Sequence, residues 1–165
     1  MRKKLVYRLA LIAILAALSC VLRIAFVDFP NVKPITAMFF AFALWIGLWD
    51  SIAIMGLTML LTGILLGFSP IVFGQIFVYA IIIAFFKAIG KLTKNVFVLS
   101  ISAGFLAFVF GALIDVLSGL MYGFGTGGYI AYWIAGLPFD TAHAISTLIF
   151  YPIVIMILGR IKALQ

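Results

Sequence analysis

From Pro34 to Phe86 the chain runs 53 residues with a single charge, Asp50, and from Asn95 to Gly159 it runs 65 residues with two, Asp115 and Asp140. A soluble domain spaces its charges far more densely, so each stretch requires lipid and more than one crossing of it. A helical crossing takes about 20 apolar residues. The predicted spans lie near Leu5–Val27, Ile35–Leu48, Ser51–Leu66, Ile71–Ile89, Phe97–Leu120 and Phe139–Leu158. Strands are not expected, because a membrane barrel alternates lipid-facing with lumen-facing residues and these segments are continuously apolar. The expectation is an all-α integral membrane protein, one domain over residues 1–165 with six transmembrane helices and no soluble linker or tail. The second and third spans are short for a flat bilayer. They read as tilted neighbours in thinned lipid or as a re-entrant pair.

Orientation follows from the basic residues, which gather on the cytoplasmic side of a membrane. With the N-terminus inside, Arg2, Lys3, Lys4, Arg8, Lys87, Lys91, Lys94, Arg160 and Lys162 fall inside, and Arg23 and Lys33 fall outside. Both termini are then cytoplasmic, and the polar loops 28–36 and 121–138 face out together.

Composition removes several chemistries. All four acids are Asp, so glutamate pairs and EF-hand cages lack their parts. One His and one Cys supply neither a structural zinc site nor a disulfide framework. The net charge of +7 sits in clusters at span ends, as headgroups demand, with no interleaved basic and aromatic surface for nucleic acid. No Walker A motif occurs, and Gly123-Phe-Gly-Thr-Gly-Gly128 matches a dinucleotide pattern by letter only, with no strand before it. That segment reads as an extracellular hinge loop. Arg2-Lys3-Lys4 followed by an apolar run to Cys20 resembles a lipoprotein signal, but the run continues through Val21 and Leu22 where a mature lipoprotein turns polar.

Polar groups inside a bilayer are costly, and each is a functional candidate. Asp115 lies near the outer end of the fifth span, where it can accept from a ligand donor or pair structurally with Arg23. Asp140 and His143 are three apart on one helical face, with Ser146 and Thr147 a turn further in. In Pro138-Phe-Asp-Thr141 the Asp reads as a helix N-cap. His143 can donate to a neighbouring helix or touch substrate. Gln75 and Tyr79 share a face of the fourth span, and Asn31, Thr36, Tyr122, Tyr129, Tyr132 and Trp133 sit in or beside the outer loops. Aromatic residues at that depth commonly anchor the interface. The crowding of polar residues on one side nonetheless points to an outward-facing pocket with apolar walls, the general form of a small-molecule site. Ala13 and Ala17, four apart, let another helix approach the first span closely, inside this protein or outside it.

The basic N-terminus, the Ala13-xxx-Ala17 spacing, the loop Phe29-Pro-Asn-Val-Lys-Pro-Ile-Thr36 and the segment Tyr132-Trp-Ile-Ala-Gly-Leu-Pro-Phe-Asp-Thr-Ala-His-Ala-Ile145 resemble the substrate-binding S components of energy-coupling factor (ECF) vitamin transporters. The resemblance spans essentially the whole chain and is similar to the cobalamin or queuosine branch. It implies an S-component bundle in a bacterial cell membrane that captures a vitamin outside, cobalamin in the first instance, with neither catalytic activity nor cofactor. It implies docking through Ala13 and Ala17 on a transmembrane T component driven by two cytoplasmic ATPases, and toppling of the loaded subunit. The implied ligand residues are Asn31, Thr36, Gln75, Tyr79, Asp115, Tyr122, Trp133 and His143. Two other readings compete. One is a membrane-embedded enzyme using Asp140 and His143, which lacks a nucleophile beyond Cys20; the other is a proton-coupled exporter working through Asp115 without ATPase partners.

Overall fold

The structure is a computed structural model and describes residues 2–163. These form six helices, α1 (Arg2–Ala25), α2 (Ile35–Trp45), α3 (Leu48–Leu66), α4 (Ile71–Leu92), α5 (Val96–Tyr122) and α6 (Gly128–Ala163), with no strand among the described residues. Their limits follow local chemistry. Gly47 and Gly67 take φ of 115° and 111°, conformations that end α2's segment and α3 and that side chains resist. Pro70 stands immediately before α4, and the Asn95 side chain accepts from the Phe97 and Val98 amides to cap α5.

Five helices, all but α2, are long and apolar enough to cross a membrane. The second predicted span is shorter than expected. With 11 residues α2 rises only about 16 Å, and every residue from Ile35 to Ala43 is buried. Its place explains this, because α2 packs against all five other helices and forms the middle of the bundle. Phe40 stacks on Phe86 with ring centroids 4.4 Å apart, and Phe86 meets Tyr151 of α6 edge-on. A helix touched on all sides has no polar face to show, and its sequence carries none.

Two polar ties lie at one side of the bundle, one joining α1 to α3 and the other α4 to α2. The Arg8 guanidinium grips both Asp50 oxygens in the first turn of α3, its Nε lying 2.8 and 2.9 Å from them. Lys87, late in α4, donates to the Ala43 carbonyl near the end of α2 at 2.7 Å. At the other side the α1–α2 loop turns inward. Its Lys33 amide donates to Ser146 Oγ of α6 at 3.0 Å, and the Ser146 hydroxyl reaches back to the Lys33 carbonyl at 3.2 Å. The loop is thus fastened to α6.

The last helix corrects the sequence reading. The expected outer loop 121–138 shrinks to residues 123–127, because α6 begins at Gly128 and continues through both Pro138 and Pro152. Asp140 therefore caps nothing, since it lies well inside a helix of 36 residues. Proline removes one backbone donor and kinks a helix without necessarily ending it. Extensive packing of α6 on α5 sustains the helix here, and lipid offers a broken backbone no replacement partners.

A candidate ligand cavity at one end of the bundle

A cavity of about 250 Å³ opens where α1 ends, α2 and α4 begin, and α5 and α6 meet. Asn31, Thr36, Gln75, Tyr79, Asp115 and His143 all line it, six of the eight side chains the sequence offered as ligand residues. The helical spacing of Gln75 and Tyr79 brings both to the same wall. Asn31, held in the left-handed region at φ 58°, anchors the loop by donating to the Phe139 carbonyl of α6 at 3.1 Å.

The floor is a buried hydrogen-bond chain. Thr36 Oγ1 lies 2.8 Å from Tyr79 Oη and 2.8 Å from His143 Nε2, joining α4, α2 and α6 through one hydroxyl. Aromatic rings close around it. Phe110 of α5 stacks on Tyr79 at 4.0 Å and stands edge-on to His143, while Phe39 meets Tyr79 edge-on. Thr36, Tyr79 and His143 are all buried. A hydroxyl with one proton and two lone pairs suits this position, because it can donate to one neighbour and accept from the other.

Four charged side chains also face the cavity, Arg23 and Lys33 from the α1 side and Asp115 and Asp140 from α5 and α6. The pairing of Asp115 with Arg23 considered from the sequence is not formed. Among the described residues the ion pair is that of Arg8 with Asp50, and Arg23 donates to the Met59 thioether, a weak acceptor. Burial, and then the neighbouring Arg23, hold the Lys33 ammonium below the usual lysine range. The Oδ2 atoms of Asp115 and Asp140 are both buried without a hydrogen-bond partner.

A repeated pattern in the sequence accounts for the acidic wall. Gly111-Ala-Leu-Ile-Asp115 on α5 and Gly136-Leu-Pro-Phe-Asp140 on α6 share the spacing Gly-xxx-Asp. The helices run antiparallel, so each carboxylate lies over the other helix's glycine. A Cβ at Gly111 would collide with Asp140, and a Cβ at Gly136 would collide with Asp115. Each spacing is plain in the sequence, but nothing local ties one motif to the other.

Tyr122 and Trp133 stand outside the cavity lining. Tyr122 is exposed and its hydroxyl meets Ser69 Oγ at 2.9 Å, tying the end of α5 to the α3–α4 loop. Trp133 lies on the extended first part of α6, with its indole N–H buried and unpartnered. Ala13 and Ala17 are exposed on α1, on a face that no other helix covers. Cys20 is buried, with its thiol 3.9 Å from the Thr58 carbonyl. Among the described residues no group of three or more His, Cys, Asp or Glu side chains converges as a metal would require.

Five long apolar helices make this a multi-pass membrane protein with a small polar cavity between its helices. The chain belongs to the family of unknown function DUF6580, whose model matches residues 2–164. No curated protein and no solved structure matches it.

Proposed function

We propose that this protein is the solute-binding subunit of a membrane transporter, holding a small polar molecule in the cavity between α1, α2, α4, α5 and α6. The observation that carries the reading is the convergence of hydrogen-bonding and charged side chains on one cavity with aromatic and aliphatic walls. The resemblance to ECF S components adds the manner of action, with vitamin capture outside, docking on a T component and energy from two ATPases. The exposed Ala13 and Ala17 face of α1 is consistent with close approach by a partner helix. In this reading both termini are cytoplasmic, and α2 counts as the sixth crossing. Size argues for a ligand smaller than cobalamin, since about 250 Å³ falls just below the usual range for drug-sized ligands.

Native mass spectrometry of the protein purified from cells grown in rich medium tests this, followed by a panel of B vitamins and other small solutes. One retained molecule at one-to-one stoichiometry supports the binding role. A protein that retains nothing and binds no member of the panel overturns it.

The unpartnered Asp115 carboxylate favours a second reading, a proton-coupled transporter acting without ATPases. Asp115→Asn separates the two. It abolishes proton-coupled transport altogether, whereas in a binding subunit it weakens affinity and leaves partner-driven uptake measurable at high solute concentration.

A further inference from the structure

The cavity separates its charges by sign. Arg23 and Lys33 come from the end of α1 and the loop after it, and Asp115 and Asp140 come from the α5–α6 wall, which α1 does not touch. No ion pair bridges the two sets among the described residues. Asp140 is only 4% exposed and Asp115 is partly buried, and the Oδ2 atom of each is buried without a donor. A buried carboxylate without a donor is costly, and so is a half-buried cation whose best neighbour is a thioether.

We infer that the cavity is built for a zwitterion of amino-acid type, its protonated amine seated between Asp115 and Asp140 and its acid group facing Arg23 and Lys33. This rests on the proposed binding role and names its substrate class. A purely anionic solute would leave the carboxylates unpartnered and add repulsion beside them. A purely cationic one would do the same to Arg23 and Lys33. Only a molecule carrying both charges satisfies both walls, and charge-assisted hydrogen bonds are the strongest available for it. The two carboxylates lining the cavity also specify the cation. They require N–H donors, so a primary or secondary ammonium fits and a quaternary one, which has no proton to give, does not. Phe110, Ile114 and Phe139 line the remaining wall and would contact the apolar part of the solute.

The test uses the full-length protein in detergent and measures thermal shift and calorimetric affinity. The probes are the twenty protein amino acids, each with its decarboxylated amine, its deaminated acid and its N-trimethyl derivative, alongside the vitamin panel. One amino acid should bind, with all three analogues at least tenfold weaker and with Asp140→Asn and Lys33→Met each lowering affinity at least tenfold. Should Asp140→Asn fail to fold, the analogue series decides alone. An amine, acid or trimethyl analogue that binds as tightly as its parent overturns the inference. A vitamin bound without any ammonium group overturns it too, and leaves the binding role standing. If nothing in either panel binds, both fall together.

Discussion

Thr36 and His143, 107 positions apart in the chain, meet at 2.8 Å beneath the cavity, and the same threonine hydroxyl lies 2.8 Å from Tyr79. One side chain thereby fastens the central helix to two of the helices around it. Thr36→Val keeps the shape and removes both hydrogen bonds, leaving a buried phenol and a buried imidazole each short of a partner. The expected cost is about 1–3 kcal/mol, read from reversible unfolding in detergent, with Thr36→Ser close to the parent. Equal loss in the valine and serine variants would show that packing of the threonine methyl matters more than the hydroxyl.

Gly111 and Asp140 should behave as a coupled pair. Gly111→Ala places a methyl against the Asp140 carboxylate and should cost about 1–3 kcal/mol as overpacking does. Asp140→Ala makes room for that methyl, so the double variant should be more stable than the sum of the single changes predicts. A double-mutant cycle measures the difference, and strict additivity would contradict the contact.

Below the cavity, α6 carries two buried hydroxyls without partners, Thr147 Oγ1 and Tyr151 Oη, one turn apart. Removing an unsatisfied polar atom while keeping the shape is neutral or favourable. Tyr151→Phe and Thr147→Val should therefore unfold at the same temperature as the parent or a higher one. A clear fall in melting temperature for either would mean that its hydroxyl has a partner in the membrane.

Asn95 caps α5 through its side-chain oxygen, 2.9 Å from the Phe97 amide and 3.4 Å from that of Val98. Asn95→Ala should lower stability by about 1 kcal/mol, and Asn95→Asp should preserve the cap. Amide exchange over the first turn of α5 reports the same loss locally.

Lys33 gives a pH dependence with a definite sign. Its folded-state pKa is lowered by burial and by Arg23 from the ordinary 10.5. Between the lowered value and 10.5 the unfolded chain holds more protons than the folded one, so the ligand-free protein gains stability as pH rises through that window. Lys33→Met should remove this part of the pH profile and stabilise the empty protein at neutral pH. An unchanged slope between the two proteins would assign the dependence to another group.

The sequence by itself determined that this is an all-helical membrane chain, because long runs holding only one or two charges belong in lipid, and it placed α1, α3, α4 and α5 closely. Polar residues clustered toward one end were also legible, since Gln75 and Tyr79 share a helical face and Asn31 and Thr36 flank one loop. Only the tertiary structure decided the rest. Pro138 and Asp140 look locally like a helix start, but packing on α5 and the lack of water to satisfy a broken backbone carry α6 straight through them. The shortness of α2 became intelligible once five neighbours were seen to enclose it. The crossing of the two Gly-xxx-Asp motifs depends on the antiparallel register of α5 and α6, which no spacing within either helix encodes. All four charged residues, Arg23, Lys33, Asp115 and Asp140, line the cavity with no ion pair between the two signs among the described residues, where the sequence alone allowed a closed pair of Asp115 with Arg23.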